Sequence, residues 1–247
     1  MTIPKLSTVF CSVLVLMIPC VANATILGTV DIEHTGFGAS DAALVWGGGQ
    51  HEHATCTGVY TLDKTDGTGQ GNYWPNGQLG GFCIELNQHA PKDTYEYKVV
   101  QLENVYNSFL GEKIGHAKAQ YISELWGRFY DPAWTGSGPF TMEQNLKAES
   151  FAVAVWEIIC ENLPGSPSQW DVSSDGTAGP RGFRCTFADV TTANNWLNSL
   201  TGTGPKADLR AFVNGCHQDY VVQVPEPATI SLFAVAGILS YARRRSR

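Results

Sequence analysis

The sequence predicts an α+β fold: a β-sandwich or barrel-like part with a helical insert, flanked by a signal peptide and a C-terminal apolar helix. Three observations carry this reading. Short apolar runs bounded by glycine lie towards both ends of the central region. Helical spacing of apolar residues is confined to its middle. Turn-forming Gly, Pro, Asn and Ser separate the two kinds of segment. The order β–α–β places strands from both ends around or beside the helices.

Taken in order, residues 26–31 and 42–46 are largely apolar and read as strands. Residues 47–80, rich in Gly, Thr and Asn, read as a loop or hairpin region. Gly81 to Leu86 is a strand candidate. Tyr95 to Leu102 is another, with Tyr95, Tyr97 and Val99 on one face. Ile114, Ala117, Tyr121, Leu125 and Phe129 then follow helical spacing until Asp131-Pro132 ends the run. Met142 to Cys160 is a second helix, its apolar face made by Leu146, Val153, Ala154 and Ile158 and widened by Phe151 and Val155. Asn162 to Pro180 is a loop. A third helix covers roughly residues 189–200, capped by Asp189 or Thr191. Residues 209–213 and 219–224 form a closing hairpin. No internal repeat is present.

Both ends read as targeting segments. Lys5 supplies a positive start, Val9 to Ile18 a short apolar run, and Ala22-Asn23-Ala24 a small-residue cleavage site, so residues 1–24 are a signal peptide and Thr25 begins the mature chain. At the other end, Pro225-Glu226-Pro227 is a rigid break. Ala228 to Ala242 is mostly apolar and shorter than the roughly 20 residues of a comfortable membrane span. Arg243, Arg244, Arg245 and Arg247 close the chain and would stay on the cytoplasmic side of an inner membrane.

In that three-part order, residues 225–247 resemble the PEP-CTERM sorting signal of Gram-negative bacteria. The resemblance implies an exosortase as processing partner, cleavage near Pro225, Glu226 and Pro227, and release to the cell surface or the extracellular polymer matrix. The inner membrane then holds the chain only before processing. A tail anchor that is never cut is the alternative.

Between these signals, residues 25–224 hold eleven basic and twenty-two acidic residues, a net charge of −11. Such a domain is repelled by nucleic acid and by anionic lipid, and a nucleic-acid partner is excluded. Five cysteines remain: Cys56, Cys83, Cys160, Cys185 and Cys216. The export compartment permits disulfides, and an odd number leaves at least one thiol unbridged. Cys160 and Cys185 flank the long Gly/Ser/Pro loop, and a disulfide between them would staple it. No C-x-x-C pair supports a zinc or redox site.

Two further stretches, Phe82-Cys83-Ile84-Glu85 and Ala148 to Ile158 with its Ala154-Val155-Trp156-Glu157 core, are similar to the two signatures of bacterial thioester domains. In that family a cysteine on a strand and the glutamine of a Gln-x-Ala-x-Trp-Glu helix form an internal thioester, an acyl group open to attack by an amine. The resemblance spans roughly residues 80–200 and implies Cys83 as the thiol and Trp156 as the motif tryptophan. The glutamine position is Ala152, so the acyl donor is missing and no thioester is expected. Gln144, two turns earlier, is a poor substitute. Cys83 also reads as a buried apolar residue or half of a disulfide.

The remaining candidates are weaker chemistry. His51 and His53 would share one face of a strand but make only two ligands, so no metal is expected. Glu157 and Glu161 share a helix face, an arrangement poorly suited to the paired carboxylates of a hydrolase. Trp46, Trp74, Trp134 and Trp170 lie near loop residues and could stack on sugar rings or pack internally. Signatures of nucleotide binding, nucleophile elbows and zinc proteases are absent, and no cofactor is implied. The reading is an exported surface or matrix protein that is structural or adhesive, binds non-covalently and has extracellular polysaccharide as a candidate partner. The rival class is a secreted, matrix-acting hydrolase.

Overall fold

Two glycines, Gly48 and Gly49, turn the chain back on itself with φ of 55° and 89°. A two-residue hairpin turn needs positive φ at both positions, which glycine adopts without strain. The turn joins β1 (Gly28–Gly47) to β2 (Gln50–Gly69), a hairpin of two 20-residue strands. This computed structural model describes residues 25–174, 181–186 and 188–226. The signal segment with Ala22 and Ala24, and the tail from Pro227 through Arg243, Arg244 and Arg245, lie outside the described residues.

The hairpin corrects the sequence reading once and narrows it once. Residues 26–31 and 42–46 belong to one strand rather than two. Register shifts near Asp31, His34, Phe37 and Val45 bend it, so its two halves serve different parts of the sheet. Of the two readings for residues 47–80, loop or hairpin, residues 50–69 take the second, as one continuous strand. Their threonines are β-branched, and pairing to β1 along the whole length outweighs the glycines.

The other strands are β3 (Gly77–Cys83), β4 (Tyr95–Gln101), β5 (Tyr106–Asn107), β6 (Glu112–Lys113), β7 (Phe183–Thr186), β8 (Leu209–Asn214) and β9 (His217–Gln223). β3 ends at Cys83, earlier than the sequence suggests. The antiparallel pairings run β1–β2–β3–β9–β8–β4 and return to β1. Residues 28–32 of β1 pair with β2 on one side and β4 on the other, which removes free edges there. The far half of β1, Leu44–Gly47, takes β7 instead. β5 and β6 form a separate small hairpin.

Directly paired residues share a face. Cys83 pairs with Tyr220, Tyr220 with Phe212, Phe212 with Val99, and Val30 with Tyr97. These side chains therefore line the inner face, where the Tyr220 ring lies 5.4 Å from Tyr60 and 5.9 Å from Tyr97. Phe82, next to Cys83, points the other way. Its ring meets Phe151 at 4.7 Å, Trp126 at 5.4 Å and Tyr130 at 6.2 Å.

Those partners belong to the helical layer: α1 (His116–Phe129), α2 (Met142–Cys160) and α3 (Val190–Asn198). α2 begins with a capping box between Thr141 and Gln144. From Ala148 to Cys160 every residue is buried, so this helix has no solvated face beyond its first two turns. Its polar side chains are each given work. Ser150 Oγ donates to Leu146 O (2.8 Å) and Asp189 O (3.1 Å). The buried Lys118 ammonium of α1 donates to Ile159 O (2.8 Å), a cation at the negative end of the α2 dipole. The buried face of α1 is Lys118, Ala119, Ile122, Leu125 and Trp126, rotated from the expected one; Ala117 is exposed. α3 starts under Asp189, whose carboxylate accepts from Thr192 N (3.1 Å), as one of the two expected caps.

Two buried carboxyl groups in this layer behave oppositely. Burial acts to raise Glu124, but the N–H groups of Thr201, Gly204 and Gly202 and the Arg128 guanidinium more than offset it, and its carboxyl sits below the ordinary value. Glu124 thereby ties the loop after α3 to α1, with Thr201 N at 3.0 Å and Arg128 Nη1 at 3.1 Å. Replacing it by alanine leaves those donors unpaired; thermal or denaturant unfolding should show a loss of about 3 kcal/mol. Burial raises Glu149 to about 7, opposed only by the Asp189 N–H at 3.3 Å, while the charges of Asp41 and Asp189 push the same way. A raised carboxyl contributes stability that is complete below its unfolded value of about 4.3 and is lost as pH rises through about 7. Glu149→Gln should therefore remove part of the decline in stability between pH 5 and 8. The variant should gain roughly 1 kcal/mol over the parent at pH 8 in denaturant titrations.

Candidate functional site at the strand–helix joint

The residues singled out by sequence come together where β3 ends against α2. Trp156 Nε1 donates to the backbone oxygen of Cys83 at 2.9 Å, and both residues are buried. Ala152 lies one turn before Trp156, so the two share a helix face. It is also buried and offers only a methyl group. Gln144 is elsewhere: its carboxamide oxygen accepts from Thr141 N (2.9 Å) in the helix cap.

Burial pushes the Cys83 thiol up to about 12; the Glu85 N–H and the Trp156 indole pull weakly the other way. A thiol at that value carries almost no thiolate near neutral pH, and the thiolate is the nucleophile. The joint thus holds a cysteine that is protonated and faces no acyl donor from the helix position the motif reserves for one.

A cavity of about 250 Å³ opens beside this joint, and Cys83 and Trp156 form part of its wall. His34, His53, His89, Gln88, Lys92 and Gln218 contribute its polar groups. The His34 ring packs on Phe37 and Tyr60, both at 5.2 Å, and burial lowers its pKa against an opposing backbone bond at Gly36. Gln218 is buried, with Nε2 donating to Glu85 O (2.8 Å) and Asp219 O (3.1 Å). Gln88 Oε1 is a buried acceptor without a partner. None of these polar residues except His53 stood out in the sequence. They come from four separated segments: the pairings of β1 with β2 and of β2 with β3 bring the histidines of the hairpin towards Cys83, and the pairing of β3 with β9 brings Gln218.

His53 lines this cavity while its neighbour His51 is exposed. Among the described residues no cluster of three metal-ligating side chains occurs. Glu157 and Glu161 each anchor the segment after α2: Glu157 Oε1 accepts from Asp171 N (3.0 Å) and Glu161 Oε1 from Phe183 N (2.5 Å). Cys83, Cys160 and Cys185 are buried free thiols, Cys56 is half-buried and Cys216 is exposed. Hydrogen bonds hold the ends of the loop between Cys160 and Cys185: Gly182 N donates to Cys160 O (3.2 Å) and Cys185 N to Val172 O (2.7 Å).

The tryptophans raised as sugar-stacking residues are largely structural. Trp74, Trp134 and Trp170 are buried, and the half-buried Trp46 is covered by the Arg184 guanidinium 4.0 Å from its ring. Their large apolar area places them in the core despite turn residues nearby in sequence.

Thiol mapping tests this arrangement. Alkylation of the folded protein near neutral pH should label Cys216 readily and leave Cys83, Cys160 and Cys185 unmodified until denaturant is added. Trp156→Phe should cost about 1–2 kcal/mol in unfolding experiments, the value of a lost buried hydrogen bond. No protein-family description matches the chain, and neither a curated protein nor a solved structure matches it.

Proposed function

We propose that this chain is an exported surface or matrix component that binds its partner without covalent attachment. The observation that supports the non-covalent reading most strongly is the joint itself. Cys83 is buried and protonated, held through its carbonyl by Trp156, and the helix position one turn away is Ala152. A thioester requires a carboxamide or carboxyl carbon in contact with a reactive sulfur, and α2 brings none there.

Export rests on the two ends of the sequence: a signal peptide through Ala24 and a sorting tail from Pro225, with an exosortase as the processing partner. Among the described residues no helix is long and apolar enough to cross a membrane. The net charge of −11 over residues 25–224 suits a protein that works in solution outside an anionic membrane.

A large cleft of about 1110 Å³ supports a hydroxyl-rich ligand such as an extracellular polysaccharide. Tyr73, half exposed, and Tyr130 contribute aromatic surface to it; Lys206, Asp208 and Gln223 supply polar groups. Rings beside a few convergent polar groups are the common make-up of such sites. Retention of the purified protein on polymer from its own host tests the reading. Tyr73→Ala should weaken retention about threefold to tenfold, and pretreatment with methylamine should change nothing. Retention that methylamine abolishes, or that survives boiling in denaturant, would mean covalent capture and would overturn the proposal.

A further inference from the structure

The Cys83 cavity differs in charge from the rest of this acidic domain. Residues 25–224 carry a net charge of −11, yet among the described residues no aspartate or glutamate lines this cavity. His34, His53, His89 and Lys92 do. The cavities at Glu157, Tyr73, Glu85 and Glu103 each carry carboxyl groups. Even the buried carboxyl groups next to it in sequence, Glu85 and Asp219, line another cavity. A concave site walled by a cation and N–H-bearing rings, without a carboxylate, favours an anion. Cys83 does not oppose one, since its buried thiol stays protonated near neutral pH.

Two acceptors also call for hydroxyl donors. Gln88 Oε1 and His34 Nε2 are both buried without a hydrogen-bond partner, and both residues line the cavity. The backbone bond at Gly36 raises the His34 pKa, so the ring is its donor. Nε2 makes no bond, so the donor is Nδ1, and in the neutral ring Nε2 offers a lone pair. Buried acceptors are as a rule satisfied, and a ligand hydroxyl is a fitting donor. Apolar surface completes the site. Phe37 is 40% exposed, its ring lies 4.9 Å from that of Tyr60, and both line the cavity. At about 250 Å³ the space is below the roughly 300 Å³ at which drug-sized sites begin, so one small ring fills it.

We propose that the Cys83 cavity binds one acidic sugar unit, a uronate. Its carboxylate pairs with the exposed Lys92 ammonium and accepts from the ring N–H groups of His53 and His89. Its hydroxyls donate to Gln88 Oε1 and His34 Nε2, and its apolar face lies against Phe37. A neutral sugar would use the acceptors and the ring but leave Lys92 without a counter-charge. A simple carboxylate would do the reverse. The site shares no lining residue with the Tyr73 cleft and stands whether or not that cleft holds polymer.

Titration of the nitrogen-15-labelled full chain with glucuronate near neutral pH tests this, with glucose and acetate as controls. The Trp156 indole N–H and the side-chain amides of Gln88 and Gln218 should shift. Glucuronate should bind about tenfold more tightly than either control, and added sodium chloride should narrow its margin over glucose. Lys92→Gln should bring glucuronate down to the affinity of glucose, whereas Tyr73→Ala in the other cleft should change nothing. Lys92 is exposed, so its replacement leaves the core intact; His89→Asn, at another exposed position, should narrow the same margin. The uronate site is ruled out if glucuronate and glucose bind alike, or if Lys92→Gln keeps the full preference. It is equally ruled out if tens of millimolar glucuronate move none of these signals, or if Tyr73→Ala abolishes the shifts.

Discussion

Everything in this molecule is arranged around the burial of α2. A helix whose last thirteen residues are all buried must be covered on every side, and no single sheet face can do that. The long β1–β2 hairpin covers one side and α1 and α3 cover others. Phe151 is the meeting point, in ring contact with Phe82 from the sheet, Trp126 and Tyr130 at the end of α1, and Trp134 beyond it. Burial on this scale also forces each polar group of the helix into a specific bond. Ser150 fixes the start of α3, Glu157 and Glu161 fix the following segment, and Lys118 answers the buried helix-end carbonyl of Ile159. The helix thus sets the positions of segments far apart in sequence.

The functional joint is a consequence of the same packing. Trp156 is large enough to fill the gap between α2 and the end of β3, and its indole N–H finds the Cys83 carbonyl because a buried donor must be satisfied. That contact serves structure first. Chemistry at the cysteine would need a second group, a carboxamide delivered from one turn earlier, and alanine stands there. The result is a tight strand–helix contact with a small polar cavity beside it.

The sequence was most informative where periodicity and capping agree. The expected helix from Met142 to Cys160 and the Asp189 cap of α3 are kept by the structure, and the Asp131-Pro132 stop holds for α1. The closing hairpin of β8 and β9 is equally legible. The extent of the β1–β2 hairpin was not, because glycines and threonines that look like loop residues are held as strand by partners up to 41 residues away. Cys83, Ala152 and Trp156 could be named from their pattern. Gln88, Gln218 and His34 could not, because they converge only once β2 and β9 flank β3 and β1 pairs with β2. The same limit explains the tryptophans: nearby Gly and Pro describe the backbone around Trp74 and Trp134, whereas burial depends on what packs over them.

Cys83, buried where β3 meets α2, carries a free thiol. Intact mass of the unreduced native protein, taken in acid before and after exposure to methylamine, addresses it most directly. The account predicts a mass with no ammonia missing and no gain of methylamine. A mass lower by one ammonia, regained as a methylamine adduct, would contradict it. That result would place an acyl bond on Cys83, with Gln88 or Gln218 as the carboxamides lining the same cavity.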